Sequence, residues 1–193
     1  MGDIAMRPAT GSSKISVAAL CACLCGSDVK ASEKPTSFDV LKTAYHCLVV
    51  DRLKATYDAG DLRSTADRFV ALTVPHHPHG YVQCLFYRRG RMALCEAASG
   101  FYRELPNSSH PYRLPDDDVA ALAKLGFSTN DSAGNFRIDL ALDEKPKLEK
   151  LADFMLRALH DGYGARAGLA LEISAPLANP VAPKCTAPGA EIK

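Results

Sequence analysis

The chain has 193 residues, of which 47% are hydrophobic and 23% are charged, as is typical of a soluble globular domain. Its 23 basic and 22 acidic residues give a net charge of +1, so no overall charge attracts nucleic acid or an anionic membrane. The length suits one domain with tails, and no apolar run reaches the ~20 residues that span a bilayer.

Seven cysteines are present, and their odd number and irregular spacing do not suggest a disulfide framework. We therefore predict reduced, buried thiols. The cysteines are Cys21, Cys23, Cys25, Cys47, Cys84, Cys95 and Cys185.

Residues 1–34 form a flexible or signal-like N-terminal segment. Its one apolar patch, residues 15–25, follows basic residues as the hydrophobic region of a secretory signal would, with cleavage after Ala31. Three alternating cysteines are unusual in such a region. We therefore predict a poorly ordered extension on a cytoplasmic protein, with export after cleavage at Ala31 as the alternative.

The predicted domain, residues 35–175, begins with a helix. Thr36 or Ser37 can cap this helix, and Asp39 is favourable in its first turn. Apolar residues then recur at spacings of three and four up to Gly60, which predicts one face packed on a sheet.

Three antiparallel strands follow. The first covers residues 68–74, and the other two form a hairpin over residues 81–99 with a tight turn at Arg88-Arg89-Gly90. Both faces of the hairpin are largely apolar, which predicts helices on one face and a partner or a second copy of the chain on the other.

The second half of the domain alternates helices and strands. Asp116 starts a short helix, residues 136–142 alternate as a half-exposed strand, Pro146 opens a helix that ends near Gly164, and Leu171 lies in a last strand. Four prolines and no periodicity predict a Pro-rich disordered tail over residues 176–193. The fold class is α+β, with an antiparallel sheet flanked by helices in the order α-β-β-β-α-β-α-β.

Two clusters suggest an alternative function as a metal-binding or hydrolytic enzyme. His76, His77 and His79 lie in the turn before the hairpin, and residues 116–118 are three aspartates. The simpler interpretation is an exposed turn and a helix start whose carboxylates cap N–H groups. The sequence contains no G-x-S-x-G, P-loop or H-E-x-x-H motif, so we predict neither catalysis nor a cofactor.

Short motifs distributed along residues 38–175 resemble the type III secretion chaperone-like families of bacteria, most closely the TY-Chap and YbjN-like group. The carrying residues are Tyr81-Val82-Gln83, Glu96-Ala97-Ala98-Ser99, Phe101-Tyr102, Leu125-Gly126-Phe127, Asn135-Phe136 and His160-Asp161-Gly162-Tyr163-Gly164. The resemblance implies a helix–sheet–helix α+β domain, commonly a homodimer, that binds a non-globular segment of a partner protein and carries no catalytic residues.

The first hypothesis is therefore a non-enzymatic chaperone-like or adaptor domain that binds an extended peptide and forms a homodimer. Apolar strand faces would bury the hydrophobic side chains of the partner, and a free strand edge would add backbone hydrogen bonds. The predicted partner-binding residues are Val82, Cys84, Phe86, Met92 and Leu94. Glu96, a carboxylate in an apolar strand, is predicted to pair with an arginine.

Overall fold

The computed structural model describes residues 36–59, 64–75, 77, 79–102, 113–130, 134–143 and 146–193. The predictions for residues 1–34, including cleavage after Ala31, and those that involve His76 lie outside these ranges.

The described residues form three α-helices and a six-stranded sheet. The α+β class and the predicted order of elements are confirmed, and one further strand, β6, follows. The elements are α1 Ser37–Asp58, β1 Phe69–Thr73, β2 Tyr81–Tyr87, β3 Met92–Ala97, α2 Asp116–Lys124, β4 Phe136–Ala141, α3 Leu148–Tyr163, β5 Glu172–Ser174, a 3-10 turn Pro176–Ala178 and β6 Glu191–Ile192.

Local sequence explains where the first two helices begin. Thr36 caps α1 and exchanges hydrogen bonds with Asp39, and these bonds lower the pKa of the Asp39 carboxyl. The prediction for α2 is wrong in one respect. Pro115 occupies the N-cap position and no side chain caps the helix, so its three aspartates contribute through the helix dipole alone.

The strands are arranged in the order β4-β3-β2-β1-β5-β6. All neighbouring pairs are antiparallel except β5 and β6, which run parallel. Both strands of the β2–β3 hairpin therefore lie inside the sheet, with a neighbour on each side. Its turn places Arg88, Arg89 and Gly90 in the left-handed region, with φ of 49°, 58° and 77°.

One face of the sheet, the covered face, packs against the helices. Fully buried side chains point to it from the four strands β1, β2, β3 and β5. α1 reaches the covered face at the edge-on contact between Tyr57 and Phe86. α2 packs on α3 at Gly162, where an added Cβ would lie 2.7 Å from Leu122. No helix in the described part of the chain has the length and apolarity to cross a bilayer.

Two disulfides correct the prediction of reduced cysteines. Cys84 and Cys95 face each other across β2 and β3 and are bonded in the buried core. Cys47 of α1 is bonded to Cys185, which is 138 residues away in the chain. Pairing across such a distance cannot be read from local spacing, and the irregular spacing therefore misled the prediction.

The C-terminal segment, residues 176–193, also differs from its prediction. It is rich in proline, but it forms a 3-10 turn at Pro176–Ala178 and further turns, and it is held against α1 by the Cys47–Cys185 bond and against β5 by β6. The prediction of disorder is wrong because the contacts that hold the segment come from distant parts of the chain.

Candidate functional site

The face of the sheet opposite the helices, here called the outer face, is not packed against any described helix. Its side chains are half-buried on the three central strands and exposed on β4. The residues of the outer face are Phe69, Ala71, Thr73, Tyr81, Gln83, Leu85, Tyr87, Met92, Leu94, Glu96, Arg137, Asp139 and Ala141.

An apolar row crosses the middle of the outer face. The strand register places Leu94 beside Leu85, and Leu85 beside Phe69. Met92 is the next residue of β3 on the same face as Leu94, and it lies beside Tyr87 of β2. Because these side chains are only half-buried, a ligand that covered them would gain about 25 cal/mol for each Å² of apolar surface removed from water.

A polar row runs beside the apolar one. Glu96 accepts a hydrogen bond from Gln83 Nε2 at 2.7 Å and forms an ion pair with Arg137 Nε at 3.0 Å. The predicted arginine partner of Glu96 is thus confirmed. Both carboxylate oxygens are engaged, whereas the Arg137 side chain is 52% exposed. The carboxylate of Glu96 is therefore fully paired within the polar row, and the exposed guanidinium of Arg137 can still contact an acidic group of a ligand.

The edge of the sheet at β4 carries main-chain groups that point away from β3. Arg137 uses its outward N–H and C=O to bridge to Ser128. Outward and inward groups alternate along a strand, so the main-chain groups of Asp139 and Ala141 point the same way. Within the described ranges they form no backbone hydrogen bond on that side. Another strand can therefore pair here.

A cavity of about 350 Å³ lies at one end of the outer face, between Tyr81, Tyr102 and Asn135. Asn135 donates a hydrogen bond from Nδ2 to the Tyr81 hydroxyl. Burial, followed by the nearby Glu96 carboxylate, raises the pKa of Tyr81 above its ordinary value. The hydroxyl stays protonated at neutral pH and offers a polar contact beside the apolar row.

The five predicted partner-binding residues fall into two groups. Val82, Cys84 and Phe86 lie on the covered face and are 0% exposed, so the prediction that they contact a partner is wrong for the folded domain. Met92 and Leu94 lie on the outer face and are half-buried. For these two residues, partner contact stays a prediction.

The histidine turn differs from the predicted exposed turn. His79 is buried, and His77 is half-buried with its ring edge-on to Tyr163. Burial lowers the pKa of His77, and the charge of Asp118 opposes this shift. The charge of Asp118, at the start of α2, thus acts on His77 in the turn. However, the described residues contain no group of three His, Cys, Asp or Glu side chains placed to hold a metal ion.

Sequence reasoning missed several parts of this site. Phe69 and Leu85 belong to the apolar row, but the two-sided apolar pattern does not tell which face the helices cover. The free edge at β4 was indicated indirectly, because its alternation with Arg137, Asp139 and Ala141 predicted a half-exposed strand. Edge position itself follows only from the strand order.

Comparison with known proteins identifies the family. A search of curated proteins gave no match, and a search of solved structures gave none either. The family model named TY-Chap3, described as T3SS (YopN, CesT) and YbjN peptide-binding chaperone 3, matches residues 51–176, which is well over half of the chain. This match includes every strand from β1 to β5. The chain therefore belongs to the TY-Chap3 family of peptide-binding chaperone domains.

Proposed function

We propose that this domain binds an extended segment of a partner protein along β4 and the outer face, and that it acts by binding without catalysis. The family description, a peptide-binding chaperone, supports the class of ligand. The observation that carries the choice of site is the free main-chain edge at Asp139 and Ala141 beside a half-buried apolar row.

The proposed binding mode is strand addition. An extended segment that pairs with Asp139 and Ala141 forms main-chain hydrogen bonds, which do not depend on the sequence of the segment. Side chains on one side of the added strand then lie beside Asp139 and Ala141, and long apolar ones can extend over these residues toward Leu94 and Met92 on β3. Arg137 adds a preference for an acidic residue nearby, since its guanidinium is half exposed.

The same surface supports the predicted homodimer. Two copies that pair through their outer faces would cover the apolar row of each chain. In this arrangement, dimerisation uses the same side chains as binding of the partner segment, here called the client. Dimerisation and client binding therefore compete. Light scattering of the purified protein tests this part, and an increase in the monomer fraction on addition of a client is the expected result.

The two disulfides indicate the kind of cellular compartment in which the domain acts. Protein disulfides persist in oxidising compartments and are rare in the reducing cytoplasm. Cys47–Cys185 and Cys84–Cys95 therefore favour export over the cytoplasmic location predicted from the sequence. We expect the mature protein to begin after Ala31, and mass spectrometry of its N-terminus in the native cell tests this expectation. An intact Met1 or Gly2 would exclude it.

The binding proposal is tested with a fluorescently labelled, permanently unfolded client, namely a reduced and carboxymethylated model protein. Fluorescence anisotropy measures its affinity for the full-length chain and for Leu94→Lys. The variant should fold, because Asp139 lies opposite position 94 and can pair with the new ammonium group. Its affinity for the client should be about ten-fold lower, since an apolar contact of the size of leucine is lost.

Val40→Lys is the matched control for this experiment. Val40 is 46% exposed on α1, away from the outer face, and an added lysine there should leave affinity unchanged. If the two variants bind the client equally well, or if the wild-type chain does not bind it, the outer face is not the site.

A further inference from the structure

The C-terminal segment begins where the family match ends. The family model covers the chain up to residue 176, and residues 176–193 then cross α1 and the edge of β5. The segment is thus bound to the family domain as an additional stretch of chain that contains turns and ends in the short strand β6.

Buried side chains of α1 bind the main chain of this segment. The Arg52 side chain is 1% exposed, and its Nη1 donates to Ala178 O at 3.0 Å and to Val181 O at 2.9 Å. The Tyr45 hydroxyl lies 2.9 Å from Pro188 O and 2.7 Å from Leu169 O, and its proton is shared between them. Two carbonyl groups that flank the turn at residues 179–180 are therefore fixed by one guanidinium, and a third is fixed by a hydroxyl.

Asp51 adds an acceptor to these donors. Its carboxylate accepts the main-chain N–H of Lys184 at 3.2 Å and a hydrogen bond from Arg52 at 2.7 Å. Burial alone would raise the pKa of Asp51, but these hydrogen bonds and the two positive charges outweigh it and lower the pKa below its ordinary value. The acceptor is therefore ionised at neutral pH.

β5 binds the end of the segment by strand addition. The N–H groups of Glu191 and Lys193 donate to Leu171 O and Ile173 O, each at 3.0 Å. This pairing is parallel and closes the edge of the sheet that β1 does not cover. Together with the contacts on α1, it places six main-chain groups of the segment in hydrogen bonds to the domain.

The polar contacts to the segment mostly reach its main chain, and its small side chains also pack on the core, since Ala178 is 0% exposed and Ala187 and Ala190 lie against buried residues. The hydrogen bonds from α1 and β5 go to main-chain atoms, whereas the side-chain links are the Cys185 disulfide and an ion pair between Lys193 and Glu172 at the surface. A cavity of about 550 Å³ also lies between α1 and the segment, lined by Val50 and Val181. The groove thus has room for side chains larger than those it now holds.

We propose that α1 and β5 form a second polypeptide-binding site, recognising a chain largely through its main chain, and that the C-terminal segment occupies this site and closes it to other chains. The inference rests on the proposed function of the domain. It adds a second site at which the C-terminal segment prevents the binding of other polypeptides. The tethered segment acts at an effective concentration in the millimolar range, so a free peptide competes poorly with it.

The test uses full-length chains and the segment itself as the probe. The probe is a fluorescein-labelled synthetic peptide of residues 176–193 with Ser in place of Cys185. It is titrated against the oxidised wild type and against Cys185→Ser/Glu191→Pro, which lacks the disulfide and one N–H of β6. The double variant should bind the peptide at least ten-fold more tightly, because its own segment no longer fills the site.

A triple variant tests the proposed contacts between α1 and the segment. Adding Tyr45→Phe to the double variant removes the hydroxyl that donates to Pro188 and keeps the buried ring, so peptide affinity should fall about five-fold. Tyr163→Phe is the matched control, since Tyr163 is also buried and its hydroxyl donates to Ala98, away from the segment. It should leave peptide affinity unchanged.

Equal binding of the peptide to wild type and double variant overturns the proposal, as does no binding to either chain or an equal effect of the two tyrosine changes. None of these comparisons bears on the outer face, because the β4 edge is the same in all these chains and any binding of the peptide there contributes equally to each. Conversely, failure of the unfolded client to bind the wild type would contradict the proposed function without changing the peptide result.

Discussion

The edges of the sheet at β4 and at β5 differ in whether another strand covers them. At β4, the main-chain groups of Asp139 and Ala141 face outward with no backbone partner in the described ranges. At β5, the corresponding groups are taken up by β6, a strand of only two residues that a disulfide helps to hold in place. Uncovered strand edges attract other chains, and proteins commonly protect them. That the chain closes one edge and leaves the other free is the pattern expected if β4 is used for binding.

The two edges also differ in what supports them. β4 pairs with β3, which carries Met92 and Leu94 of the apolar row. A strand added at β4 therefore lies near apolar side chains of the outer face. The edge at β5 depends instead on Arg52, Tyr45 and Asp51, which bind main-chain atoms. The first site is thus expected to select for apolar side chains, whereas the second recognises main-chain groups.

Arg52→Met should have the largest effect, because it removes the buried cation from the closed edge. Two carbonyl groups and the Asp51 carboxylate then lose their partner, which should cost about 3 kcal/mol of stability in urea denaturation. Amide exchange at Glu191 and Lys193 should also become faster.

Arg68→Met is the matched control for that prediction. Arg68 is equally buried, and it donates to the carbonyl groups of Tyr57 and Ala59 at the end of α1. The change should also destabilise the domain but leave the exchange of Glu191 relative to the core unchanged. The same relative exchange in both variants would mean that Arg52 has no specific role at the closed edge.

Reduction should open the closed edge before it affects the core. Cys47 is exposed, whereas Cys84 and Cys95 are fully buried, so a dithiol reductant reaches Cys47–Cys185 first. Loss of this long-range link should cost about 2 kcal/mol. Timed alkylation and mass spectrometry measure the order, and earlier modification of Cys84 would contradict it.

Ala141→Pro tests the free edge, since it removes an outward N–H and leaves the pairing with β3 intact. Proline is tolerated at such edge positions. Affinity for the unfolded client should fall about ten-fold, in line with the loss of one main-chain hydrogen bond and some misfit of the added strand. Glu191→Pro, the equivalent change at the closed edge, is the control and should not weaken client binding to β4.

The smallest expected effect is a pH dependence from His77, near the cavity end of the outer face. Burial lowers the folded-state pKa of His77 below its ordinary 6.5, so the unfolded chain binds more protons below that value. Stability should therefore be complete above pH 6.5 and decline as the pH falls. Urea denaturation from pH 8 to 5 should show a shallower decline for His77→Gln, and an unchanged slope would exclude His77 as the cause.

Local sequence was sufficient for most of the elements but not for the site. The Thr36 cap and the Arg88-Arg89-Gly90 turn were predicted because their signals lie within a few residues. The choice between Val82 and Leu85 as a contact residue depends on which face α1 and α3 cover, and alternation alone leaves this open.

The closed edge was missed for a different physical reason. Arg52 lies more than 120 residues from the carbonyl groups it binds, and Cys47 is as far from Cys185. Four prolines and no periodicity are typical of a disordered tail, and the sequence pattern alone cannot distinguish such a tail from one that is bound to the domain. The contacts that separate these two states are all long-range.

The central claim is that a client strand pairs with β4 while the β5 edge stays closed. Amide exchange of the full-length, oxidised protein, measured by NMR with and without the unfolded client, tests this most directly. The client should protect the amides of Asp139 and Ala141 and leave the exchange of Glu191 and Lys193 unchanged. Client binding without protection at β4, or with protection confined to the helices, would contradict it.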